Sequence, residues 1–205
     1  MRVPETPDAP APAPHPSPAP DAAASPGFAA AVSRARDACR ETAARLDAAG
    51  VAREFLAEYV APRRRFLVMR PAVMQPIGEV WRVGSLLLSA SGELHELGHA
   101  TRAAERGRPG YQSASREERR EIAAAALRGG YAIGEAVNYD ARPIPLDEAS
   151  AETRSALSGS GPVGFDAGEV RVRWRAGAPL TGAPTLASFL AERADLLISP
   201  PFSGE

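Results

Sequence analysis

The chain contains no lysine: all 24 basic residues among its 205 are arginine. Chemistry that requires a side-chain amine is therefore excluded, whether a Schiff base or a Ser-x-x-Lys site. A single cysteine, Cys39, rules out an intramolecular disulfide framework and fits a reducing compartment. Aromatic residues make up only 6% of the chain. No apolar run reaches the roughly 18 residues of a membrane span, and the N-terminus lacks an apolar signal core. The expected location is the cytoplasm. A formal net charge of −1 provides no electrostatic basis for a nucleic-acid or membrane partner, and none is expected.

What is present divides at about residue 24. Prolines at positions 4, 7, 10, 12, 14, 16, 18 and 20 alternate mainly with alanine, and nothing between Pro4 and Ala24 is large and apolar. Such a tract removes backbone donors and has no core to bury, so residues 1–24 read as a disordered tail. Residues 25–201 read as one domain. Ser25-Pro26 caps and opens a helix whose apolar stripe is Phe28, Val32, Ala35, Cys39, Thr42 and Leu46, with Glu41 and Arg45 paired on the wet side and Gly50 at its end. Cys39 lies on that stripe, which points to a core thiol rather than a nucleophile.

A shorter helix is expected over Val51–Val60, a strand over Phe66–Met69 after Arg63-Arg64-Arg65, and a loop over Pro71–Gly78. Ser115 and Glu118 form a capping box for a helix ending near Arg128 at Gly129-Gly130. Ala136–Tyr139 reads as a strand. A hairpin around Asp166-Ala167-Gly168 has Val170, Val172 and Trp174 inward and Arg171, Arg173 and Arg175 outward. Thr185 caps a last helix, Leu186–Leu197.

The centre of the chain is Glu79 to Arg102, where two apolar runs flank Ser91-Gly92 and predict a hairpin. A two-residue turn there places Leu88 opposite His95, Leu86 opposite Leu97 and Arg82 opposite Thr101. Within it, His95-Glu96-Leu97-Gly98-His99 has the letters of the zinc-hydrolase motif HExxH. That motif needs a helix, on which residues four apart are about 5–6 Å from each other. On a strand they are separated by roughly 13 Å, with the Glu on the opposite face. No cofactor and no metal ligand is assigned.

The runs GEVWRVGSLLL, GHATRAAERGRPGYQS, REERREIAAAALRGGY and AVNYDARPIPL resemble a family of small actinobacterial proteins that carry the label "glutaminase". So does the ending RWRAGAP…LASFLAERADLLISPP. The resemblance spans about residues 55–201 and implies an amidohydrolase that converts glutamine to glutamate and ammonia. It brings no catalytic motif with it.

The reading is thus an α+β domain, an antiparallel sheet built on the 79–102 hairpin with packed helices. The function expected is a non-catalytic binding or interaction module. An amidohydrolase is the alternative and a zinc hydrolase through His95 and His99 the third choice. The candidate ligand groups are Arg82, His99, Arg108, Tyr111 and Gln112, cationic and aromatic side chains suited to a small anion or to a protein partner.

Overall fold

The structure, a computed structural model, describes residues 26–65, 68–107 and 113–201. The expected disordered tail at 1–24 lies outside the described residues. Within them the chain forms four helices and a mixed sheet, an α+β arrangement. Helix α1 (Pro26–Ala48) buries the predicted stripe: Phe28, Val32, Ala35, Cys39 and Leu46 are all nearly or fully enclosed. It packs on α4 (Leu186–Ile198), whose Leu186, Leu190 and Ala194 complete the same core. Arg45 bonds Asp195 of α4 at 2.6 Å, rather than pairing with Glu41.

The main sheet has seven strands in the order β7-β8-β1-β4-β5-β6-β9. Its members are β1 (Glu54–Val60), β4 (Val73–Val83), β5 (Leu86–Ser89), β6 (Leu94–Glu96), β7 (His99–Arg102), β8 (Ala136–Tyr139) and β9 (Arg142–Ile144). Adjacent pairs are antiparallel except β1 and β8, which run parallel. A short separate hairpin, β2 (Arg63–Arg65) with β3 (Val68–Arg70), lies between β1 and β4.

The two ends of the strand order are continuations of inner strands. Leu94↔Ile144 through Glu96↔Arg142 and His99↔Tyr139 through Arg102↔Ala136 are in one continuous register. Residues 94–102 and 136–144 therefore form a single antiparallel ribbon bent near Gly98 and Asp140. One half of the ribbon bonds to β5 and the other to β1, so the sheet curls back on itself as a small, partly closed barrel. Inside it, Leu97 and Ala141 from the bend meet Leu56, Val80 and Leu87. Outside, α1 and α4 cover Trp81, Val83, Leu86 and Leu88, while α2 (Ala114–Arg128) covers Ala57, Met74, Val137 and Tyr139. The Trp81 indole N–H is satisfied by the Val51 carbonyl at 2.9 Å, and full burial of such a ring is worth about 2–3 kcal/mol.

Several sequence expectations fail for physical reasons. The helix predicted over Val51–Val60 is strand β1. Phe55, Ala57 and Tyr59 alternate with the buried Leu56 and face α2, so pairing on both edges overrides helix propensity. The expected loop at Pro71–Gly78 belongs largely to β4, where Ile77 bulges between the pairs Leu56↔Gly78 and Ala57↔Pro76. The bulge lets the strand accommodate the missing proline donor. Of the predicted strand Phe66–Met69, Val68 and Met69 stand in β3, paired with Arg65 and Arg64 of β2, and residues 66–67 lie outside the described residues.

Helix α2 starts at Ala114 after Ser113, so Ser115 lies in its first turn and Glu118 is no capping-box partner. A further helix, α3 (Ala151–Ser158), is capped by the Ser150 hydroxyl accepting from the Thr153 amide, and sequence reasoning missed it. The last hairpin is as expected in β10 (Val163–Asp166) and β11 (Glu169–Val172), but the strand stops before Trp174. That side chain is 74% exposed, while Arg173, expected outside, is buried. Its guanidinium donates to the Ala178, Gly161 and Val163 carbonyl oxygens, a planar fork serving three acceptors.

Candidate ligand cleft

His95 and His99 stand on two short strands, β6 and β7, not on a helix. The register differs from the predicted one by a single residue. A three-residue loop, Ala90-Ser91-Gly92, closes the β5–β6 hairpin, with Ser89 bonded to Glu93 and Gly92 left-handed at φ 85°. That geometry pairs Leu88 with Leu94 and Leu87 with His95. A slip of one residue exchanges the faces, so His95 shares the inner side with Leu87 instead of Leu86 and Leu88. His99, beyond the bend, lies on the outer face beside Tyr139. Among the described residues, no group of three or more His, Cys, Asp or Glu side chains is arranged to hold a metal ion.

Arg82 and His99 do not share a site. Arg82 pairs with Leu87 rather than Thr101 and points inward, where it donates to the Asn138 side-chain oxygen and lies 3.6 Å from a Glu54 oxygen. Thr101 pairs with Val137. The candidate anion site built from both faces is therefore corrected: the sheet separates its two central members. Arg108, Tyr111 and Gln112 lie outside the described residues.

His99 does open onto a cleft, of about 570 Å³, between the outer face of β1, β7 and β8 and the first half of α2. The grooves beside Trp174 and His95 are smaller, at about 310 and 250 Å³. Strand alternation sets the floor of the larger cleft. Tyr59 follows Ala57 on the outer side of β1, and Tyr139 sits opposite Ala57 on β8. Their ring centres are 6.0 Å apart, and the His99 ring is 5.4 Å from Tyr139 on its other side. Three rings thus line one wall. Helix α2 supplies Ser115, Glu118, Arg119, Glu121 and Ile122, and the bend supplies Asp140.

The polar groups differ in how they are engaged. Glu121 is paired with Arg128 at 2.6 Å and Arg106 at 3.2 Å. Arg119 donates to the Ser115 carbonyl oxygen, back along its own helix. Among the described residues, Glu118 and Asp140 have no hydrogen bond or ion pair, and the Tyr139 hydroxyl, which solvent reaches, has no protein partner. Burial raises the Tyr139 phenol above its ordinary value, and the charges of Asp140 and Glu118 and the Tyr59 ring add to that. The cleft is aromatic and electronegative.

No protein-family model matches the chain, and neither a curated protein nor a solved structure is significantly similar to it. Cys39 is fully enclosed in the α1 core, where burial pushes its thiol up to about 12. A thiol held protonated at neutral pH is no nucleophile.

Of the cleft residues, sequence analysis singled out only His99. Tyr59 was hidden by the helix expected over Val51–Val60, although the alternation Phe55-x-Ala57-x-Tyr59 carried the strand signal. Glu118 was assigned to a cap. Tyr139 and Asp140 stand at the end of a correctly predicted strand, but nothing in the letters AVNYD says that the chain bends there.

Proposed function

We propose that this chain is a non-catalytic binding module whose ligand occupies the cleft between α2 and the β1–β8–β7 edge. The observation that supports it is the wall of Tyr59, Tyr139 and His99 facing a volume of about 570 Å³, within the range of small-molecule sites. The carboxylates and hydroxyls around that wall are available to fix a ligand's orientation. Among the described residues, no arrangement of nucleophile, base and orienting group accompanies them.

A cytoplasmic site of action belongs to the same proposal. No helix among the described residues is long and apolar enough to cross a membrane. Glutamine hydrolysis, implied by the resemblance, is the competing reading.

Two measurements separate them. In a thermal-shift screen of small metabolites with the full chain, a ligand of the cleft raises the midpoint by binding the folded state alone. His99→Ala, at an exposed position, then reduces that rise. Ammonia release from glutamine stays at the buffer rate. A screen with no saturable ligand, or ligands indifferent to His99→Ala, overturns the binding module. Ammonia release proportional to protein, retained on repurification, establishes the hydrolase instead.

A further inference from the structure

We propose that the cleft takes an organic cation, a guanidinium or ammonium group carried on a small molecule. The inference rests on the binding-module reading and adds the chemistry of the ligand to it.

Three independent features converge. The first is the aromatic wall. Tyr59, Tyr139 and His99 are arrayed side by side, and ring faces attract a cation placed within about 6 Å of their centres through the quadrupole. The second is charge. Glu118 and Asp140 line the same cleft from opposite sides, one on α2 and one at the ribbon bend, and neither is paired among the described residues. Among the described residues, Arg119 is the one guanidinium in the lining, and it is directed to the Ser115 carbonyl. The third is the Tyr139 hydroxyl. It has no protein partner among the described residues and is reached by solvent, so it can accept from a ligand in the cleft.

These groups share one preference. Carboxylates accept and cannot donate, and a phenol hydroxyl accepts as readily as it donates. A ligand rich in N–H donors and positively charged satisfies all of them, with its planar or alkylated face against the rings. An anionic ligand would meet the carboxylates of Glu118 and Asp140. A purely apolar one would leave them and the Tyr139 hydroxyl without partners.

The test is calorimetric titration of the full chain with four probes. Agmatine presents a guanidinium and an ammonium. Tetramethylammonium presents charge without donors. Glutarate is the anion and glycerol the neutral control. Agmatine is expected to saturate the protein, tetramethylammonium more weakly, and the other two not at all. Glu118→Gln and Asp140→Asn, both at exposed positions, each raise the agmatine Kd by about tenfold, with the unfolding midpoint unchanged.

A blocked arginine peptide identifies the source of the cation. Tighter binding than agmatine places it on a peptide chain, weaker binding on a free metabolite, and either keeps the cation. Saturation by glutarate or glycerol alone, sensitive to His99→Ala, leaves the cleft as the site and overturns the cation. Agmatine binding unaffected by any cleft variant overturns both readings. Failure of both cations to saturate overturns the cation proposal.

Discussion

A β-carbon built on Gly98 would stand 2.4 Å from the carbonyl carbon of Asp140 and 2.3 Å from the Tyr139 carbonyl oxygen. The two arms of the ribbon touch, backbone against backbone, where both bend. Asp140 takes a left-handed conformation there, φ 55°, which Asp tolerates better than most residues. This contact lets 97 and 100, and 138 and 141, face inward across the bend while His99 and Tyr139 face the cleft. No side chain other than hydrogen fits at position 98.

Gly98→Ala is accordingly expected to destabilise the protein by about 2 kcal/mol or more, because the obstructing atoms are backbone and cannot rotate away. Urea unfolding measures the loss. A loss under about 0.5 kcal/mol would show that the ribbon arms can separate at no cost.

Asn138 is almost fully buried and joins three partners: it donates to Glu54 at 2.8 Å and to the Phe55 carbonyl at 3.2 Å, and accepts from Arg82. Asn138→Ala leaves Glu54 and Arg82 without their bridge inside the barrel mouth. The expected cost is about 1–3 kcal/mol. Arg82→Ala, at a half-exposed position, should cost less, and the order of the two midpoints in one denaturant series checks the arrangement.

His95 makes stability sensitive to acid. Burial lowers its imidazole below the ordinary 6.5, with the charge of Glu93 opposing in part. The folded pKa is thus depressed, so the unfolded chain takes up the proton first. Stability is full above pH 6.5 and declines as pH falls through the folded value. His95→Leu should flatten that decline and leave stability at pH 7 within about 1 kcal/mol of the parent, since Nδ1 is buried without a hydrogen-bond partner among the described residues. Unfolding midpoints between pH 7 and 4.5 read both effects. An unchanged acid slope would assign it to another group.

Cys39 should resist alkylation in the folded protein at pH 8 and react promptly in denaturant. Its folded value, about 12, exceeds the unfolded 9.0. The contribution to stability is therefore complete below pH 9 and is lost as pH rises toward 12. Thiol labelling of native and unfolded protein at matched pH gives the comparison, and equal rates would contradict the burial.

Local sequence determined the helices with continuous stripes, the strand at Ala136–Tyr139 and the hairpin at residues 163–172. In each, periodicity and caps report on neighbours close in the chain, and the final fold does not oppose them. It also determined that His95 and His99 belong to strands, because Gly98 and the flanking apolar runs disfavour a helix. Tertiary structure decided the rest. Residues 51–60 became a strand because β4 and β8 offer edges to pair with on both sides. The hairpin register moved by one residue because Gly92 accommodates a three-residue loop over Arg40, and that slip turned His95 inward. The cleft itself joins Tyr59, His99, Glu118 and Asp140 from four separated segments. Their meeting depends on how the ribbon bends at Gly98 and where α2 docks, and both are settled by contacts between residues far apart in sequence, which local patterning does not encode.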